Sequence, residues 1–195
     1  PALTRMAAGL KPLYDAYERH NGKLTEDTLK KYTNMAQSNY RTTYKDYELA
    51  TDKELFAEMT KLYYDNVPQS QHPDIYKTIL KGSNGGNKSV YTAYTNTVFA
   101  NTFLTDSNRF NAFLKSPSFS KLKADAAVQY AMSFASNYSK NYQPKVTSFN
   151  DQKADLSREY VNQLMQMKKG KKFYPDANST MRITYGKVLS YVPTD

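Results

Sequence analysis

Residues 82–89, GSNGGNKS, fall one position short of a phosphate-binding loop. Such a loop needs glycine, four free positions, glycine, lysine and a hydroxyl, so that backbone N–H groups converge on an anion that the lysine also reaches. Lys88 and Ser89 stand where the pattern wants them, but Asn87 replaces the second glycine and a helical segment precedes the run in place of a strand. The stretch is read as a flexible interhelical loop. His20 sits at a helix end and His72 directly before Pro73, each in a segment expected to be an exposed loop. There is no H-x-x-x-H spacing and no cysteine, so neither a histidine-based metal site nor thiolate chemistry is expected, and no cofactor is implied. No G-x-S-x-G elbow offers either histidine a nucleophile to activate. The carboxylates are interspersed with lysines, as in TDKELFAEMTK (51–61) and ADLSREY (154–160), which is the pattern of a solvated helix face. Asn-x-Ser/Thr triplets, among them those at Asn137 and Asn178, are of a kind that arises by chance at this length.

The elements that would position such residues are helical. Glycine, proline and capping residues divide the chain into about eight segments. Residues 2–20 place Leu3, Met6, Leu10, Leu13 and Tyr17 on one face, with Pro12 kinking or dividing the helix before Asn21-Gly22 stops it. Thr25 caps a helix predicted to run to about Leu49. A third helix starts at Asp52, buries Leu55, Met59, Leu62 and Tyr63, and ends before Asn66-Val67-Pro68. A short helix over 73–81 closes at Gly82, and another follows over 88–101 with Val90, Tyr94 and Val98. Thr105 caps the run that groups Phe110, Phe113 and Leu114. Ser118 opens a segment reaching 142 with a break near Ala124. Residues 147–169 align Leu156, Tyr160, Leu164 and Met167 at helical spacing. Short loops between helices predict a mainly α, antiparallel helical bundle.

Bulk composition bounds the rest. Leu, Ile, Val and Phe number only 35 of 195 residues and the net charge is +9, a balance that would suggest disorder. The 18 tyrosines and 7 methionines supply the missing apolar area, so a tyrosine-rich core with hydroxyls reaching its edges is expected. The basic excess is scattered. Its one dense cluster, MKKGKK (167–172), reads as a helix C-terminus offsetting its dipole, with Gly170 as the left-handed cap. Nucleic acid is therefore not an expected partner. No apolar run is long enough to span a membrane, and PALTRMAAGLK (1–11) does not read as a signal sequence.

Residues 173–193, FYPDANSTMRITYGKVLSYVP, break the helical pattern. After a Pro-Asp-Ala-Asn turn, Met181, Ile183 and Tyr185 alternate with Arg182 and Thr184, the period of a half-buried strand with no sequence neighbour to pair with. This run resembles a segment of the bacterial serine dipeptidyl-peptidases of the dipeptidyl-peptidase seven and eleven family. YYDNVPQSQHPDIYKTI (63–79), FLTDSNRFNAFLKSP (103–117) and DLSREYVNQLMQMKKGKKFYPDAN (155–178) resemble consecutive parts of the same large helical insertion. The resemblance implies a helical cap domain over 1–172. It makes 173–195 a linker and the first strand of the second barrel of a trypsin-like, chymotrypsin-like catalytic domain that this chain does not contain.

The implied parent is an exopeptidase releasing dipeptides from the N-terminus of oligopeptides. Its His and Asp precede the insertion, and its nucleophilic Ser follows it in a G-N-S-G-S-P-like loop; none of these matches a position here. Asp176 and Asn178 are the named site residues, as turn formers joining cap to barrel. The implied partners are the oligopeptide substrate and the catalytic barrels of the same chain. The implied location is the periplasm or cell surface of a Gram-negative bacterium. The strand at 180–192 is expected to lie exposed, be disordered, or pair with another copy as a homodimer. The loop KGSNGGNKSV (81–90) departs from the ordinary helical link the resemblance leads one to expect. The alternative is a stand-alone basic helical module that binds nucleic acid or an anionic surface, recognisable by a continuous positive face.

Overall fold

The computed structural model describes residues 1–81, 83, 86–174, 179, 181 and 183–191. It is mainly helical, in the order α1 Ala2–Ala8, α2 Lys11–Arg19, α3 Glu26–Tyr44, α4 Leu49–Asn66, α5 Ile75–Ile79, α6 Lys88–Asn101, α7 Ser107–Lys115, α8 Phe119–Ala124, α9 Ala126–Asn141 and α10 Gln143–Met167. The chain falls into two compact units, Pro1–Thr147 and Ser148–Asp195.

In the first unit α1 packs along α9 and α3, and α4 packs along α6. Leu3, Leu10, Leu13, Phe56, Tyr91, Val98, Leu104, Phe110, Leu122 and Val128 are completely buried. The helices begin where side-chain oxygens replace the missing backbone acceptors. Thr25 accepts from Thr28 N at the start of α3, and Ser118 from Lys121 N at the start of α8. The break near Ala124 is real, because Asp125 ends α8 and caps α9. α1 borrows its cap from far along the chain: the carboxylate of Asp52 accepts from Ala2 N at 2.5 Å and from Leu3 N at 2.9 Å. Pro12 sits in the first turn of α2, where its missing N–H costs nothing. The division of the first helical segment therefore falls at Gly9 and Leu10.

Several boundaries and faces differ from the sequence reading. α3 stops at Tyr44 and does not reach Leu49, which instead opens α4. Glu48 starts that second helix by folding its carboxylate back onto Ala50 N and Thr51 N. α4 buries Phe56, Ala57 and Thr60, whereas Leu55, Met59 and Leu62 are exposed. The helix carries two apolar stripes, and the one that meets α6 is the one with the rings: Phe56 packs edge-on to Phe99 at 5.7 Å. The cap of α7 is Asp106, one residue past Thr105, because its carboxylate reaches both Asn108 N and Arg109 N. The short helix expected over 73–81 is the single turn α5, and Gly82 lies outside the described residues.

Tyrosine does fill the core, but its hydroxyls do not all reach an edge. Thr60 Oγ1 donates to Phe56 O at 2.7 Å and lies 3.0 Å from Tyr130 Oη, while Tyr76 Oη donates to Thr60 O at 2.7 Å. These bonds let three polar side chains sit in the interior at little net cost.

In the second unit, residues 148–167 are the later turns of α10, which begins at Gln143 and not near 147. Gly170 takes φ +94° and closes the helix as expected. Phe149, Leu156, Tyr160 and Met167 are exposed. No strand occurs among the described residues of 180–192, and Met181, Ile183, Tyr185, Val188, Leu189 and Tyr191 all face solvent.

Candidate functional site

The near-match to a phosphate loop is not built as one. Asn87 caps α6 by accepting from Ser89 N at 3.0 Å, and the lysine that would reach a phosphate, Lys88, pairs instead with Glu58 of α4. Asp176 and Asn178 lie outside the described residues. His20 is exposed at the C-terminus of α2, as expected. His72 is not in an exposed loop. It is half-buried, with its ring centre 4.9 Å from that of Tyr76, 5.1 Å from Tyr64 and 5.9 Å from Tyr63. Its Nε2 lies 2.8 Å from Val67 O, so that nitrogen carries the proton and donates.

His72 forms one wall of a polar groove of about 490 Å³ between the 69–75 segment and α9. Three bonds fasten that segment to the helices beyond it. Ile75 N donates to Ser133 Oγ at 2.9 Å, Asn137 Nδ2 donates to Gln71 O at 3.0 Å, and Tyr142 Oη donates to Gln71 Oε1 at 3.0 Å. The face of α9 that lines it carries small polar or amide side chains at Ser133, Ser136, Asn137 and Asn141, beside the apolar Val128 and Met132. Lys123 and Lys140 add positive charge to the lining, and Asp74 adds a carboxylate held by Lys77 at 2.6 Å. That hydrogen bond and the Lys77 charge keep the Asp74 carboxyl below its ordinary range, with Lys140 contributing in the same direction. Hydroxyl, amide and ammonium groups in this arrangement can bind a polar or anionic chain. Among the described residues neither histidine is hydrogen-bonded to a serine, which a nucleophile and its base would require. No group of three or more His, Cys, Asp or Glu suited to a metal ion occurs among them either.

The aromatic setting of His72 escaped sequence reading because it is assembled from Tyr63 and Tyr64 at the end of α4 and Tyr76 in α5. The signal was the run Tyr63-Tyr64 placed eight residues before a His-Pro turn.

Residues 1–195, the whole chain, match the family described as Peptidase S46. The chain belongs to the Peptidase S46 family. Among curated relatives, an Asp/Glu-specific dipeptidyl-peptidase of Porphyromonas gingivalis is 31% identical over 151 residues, covering 77% of this chain and 20% of that protein. A dipeptidyl-peptidase 7 of Phocaeicola vulgatus is 30% identical over 151 residues, again 77% and 20%. An Asp/Glu-specific dipeptidyl-peptidase of Flavobacterium psychrophilum is 28% identical over 155 residues, 78% and 20%. The chain spans about a fifth of the length of these S46 relatives. No helix among its described residues is long and apolar enough to cross a membrane.

Proposed function

We propose that this chain is the helical cap of a serine dipeptidyl-peptidase, a part that covers and gates the cleft in which dipeptides are cut from the free N-terminus of oligopeptides. The observation that carries the reading is membership of Peptidase S46 along the whole chain together with a match to only a fifth of the relatives' length. The nucleophilic serine and its His and Asp then belong to residues other than these 195, on the barrels the cap covers. Closure of a helical cap excludes water and fixes the peptide, so that its amine end stays two residues from the scissile bond. A mainly helical body fits that role. The exposed, alternating Met181, Ile183 and Tyr185 fit a strand whose ladder partners lie in the second barrel, with Asp176 and Asn178 turning the chain from cap to barrel.

The test compares the product of the whole reading frame with the 195-residue chain on fluorogenic dipeptidyl substrates carrying acidic and apolar residues before the scissile bond. The expected result is cleavage by the longer protein and none by the cap alone. Full activity after replacement of the serine in the G-N-S-G-S-P-like loop would remove the serine mechanism. Equal cleavage of N-terminally blocked substrates would remove the exopeptidase reading.

A further inference from the structure

α10 is the longest helix among the described residues, and none of its 25 residues is buried. Helices in water owe most of their stability to an amphipathic face packed on something else. In the second unit that face is present and bare. Phe149, Lys153, Leu156, Tyr160, Leu164 and Met167 recur at intervals of four, three, four, four and three, which keeps them on one stripe. Phe149, Leu156, Tyr160 and Met167 leave 63%, 70%, 66% and 78% of their surface open. Single apolar side chains at a surface are ordinary, whereas a continuous row of them marks a contact surface.

The stripe also has a shape. It holds a shallow groove of about 310 Å³ lined by Phe149, Gln152, Lys153, Leu156, Ser157 and Tyr160. These six form two successive diamonds of residues i, i+3, i+4 and i+7, one starting at Phe149 and the next at Lys153. Four residues of that spacing make the hole into which a side chain of a second helix, packed along the first, inserts. A second α10 is the poorer source of that side chain. Lys153 lies in the middle of the stripe and, among the described residues, in no ion pair. Two copies would close over both lysines with no carboxylate on either stripe to meet them. A helix of different sequence can place an acid there, and about four-fifths of the relatives' length lies outside the match to this chain.

We propose that α10 pairs along this stripe with a helix from the part of the parent polypeptide outside these 195 residues, side chains of that helix filling the two holes. The inference rests on the reading of this chain as one part of a longer S46 peptidase. It goes beyond that reading by naming the face through which the second unit is held and the kind of element that holds it.

The test measures amide hydrogen exchange along α10 in the 195-residue chain and in the product of the whole reading frame. Amides of the middle turns should exchange at least about a hundredfold more slowly in the longer protein. Leu156→Gln, which keeps the helix propensity and removes the apolar contact, should take back about thirtyfold of that difference. It should leave exchange in the 195-residue chain within about twofold, as should Asn162→Ala on the opposite side of the helix in either protein. Benzoylphenylalanine placed in turn at Phe149, Leu156 and Tyr160 of the longer protein should photocrosslink to positions outside the 195 residues, three, four or seven apart. Equal exchange in the two proteins would overturn the proposal, since the stripe would then be bare in both or already covered within the chain or by a copy. So would a Leu156→Gln variant as protected as wild type, or crosslinks to these 195 residues, to another copy's α10, or at intervals of two, the spacing of a strand. No readout involves hydrolysis. A longer protein that protects α10 but releases no dipeptides would remove the peptidase reading alone, and an active one with α10 unprotected would remove this inference alone.

Discussion

Asp125 ties the exit of α6 to the start of α9, and removing its carboxylate should be among the most damaging single changes in the first unit. The side chain is 3% exposed. Its Oδ1 accepts from Thr102 Oγ1, Ala127 N and Val128 N, each at 3.0 Å, and its Oδ2 accepts from Phe103 N at 2.9 Å. Asp125→Ala orphans all four donors. Loss of the cap at Ala127 and Val128 costs roughly 1 kcal/mol. Phe103 N and the Thr102 hydroxyl add roughly 1–3 kcal/mol between them. The sum, about 2–4 kcal/mol, is a large share of the roughly 5–15 kcal/mol that holds a domain together. Asp125→Asn can keep its oxygen where Oδ1 lies, so it preserves three acceptances and turns an NH2 against Phe103 N; about 1–2 kcal/mol is expected. Urea titrations followed by circular dichroism at 222 nm should rank wild type above Asp125→Asn above Asp125→Ala. A loss under about 1 kcal/mol in the alanine variant would refute the bridging role.

The sign of the pH dependence gives a second check on the same residue. Burial raises the carboxyl pKa of Asp125, and the donors from Phe103, Val128, Thr102 and Ala127 pull it back only in part. A group raised on folding contributes stability that is complete below its unfolded value near 3.9 and is lost as pH rises through the folded value. The advantage of wild type over Asp125→Asn should therefore be larger at pH 3.5 than at pH 7.

Alkali should unfold the first unit early. Burial pushes the Tyr130 hydroxyl up to about 12, the Thr60 hydrogen bond opposing it, and burial raises Tyr40, Tyr76 and Tyr94 as well. Each contributes stability below pH 10 that is lost above it, roughly 2–3 kcal/mol for Tyr130 alone by pH 12; a flat urea midpoint from pH 8 to 11.5 would contradict this. Asp52→Ala should cost about 1–2 kcal/mol and release the first turn of α1, seen as faster amide exchange at Leu3. Phe56→Ala should cost about 3–5 kcal/mol, whereas Met59→Ser should stay within about 0.5 kcal/mol, and the reverse order would mean the buried face of α4 is misassigned.

Local signals in the sequence carried much of the fold. α6 occupies the predicted 88–101, the caps at Thr25 and Ser118 are made by those side chains, and Gly170 adopts the positive φ that its place after a lysine-rich turn requires. What eluded the sequence was set by contacts across long separations. Leu55, Met59 and Leu62 make as good a periodic stripe as Phe56 and Thr60, and the rings of Phe99 from α6 and Tyr130 from α9 decide between them. Glu48 is a poor capping residue by type, and it opens α4 because its longer side chain can loop back to Ala50 and Thr51. His72 gained its ring neighbours from α4 and α5. Family membership was legible in the C-terminal run, whose pattern is specific. The residues named there, Asp176 and Asn178, stand outside the described part of the chain.

The loan of Asp52 to α1 sets an order of events during synthesis. Ala2 and Leu3 leave the ribosome 50 and 49 residues ahead of the carboxylate that closes their helix. Until α4 emerges, α1 is a seven-residue segment far too short to persist in water. Its burial against α9 waits longer still. Within these residues, a stretch translated early should thus be among the last to become ordered, which makes the first turn of α1 a foothold for chaperones and proteases while the later helices are still being made.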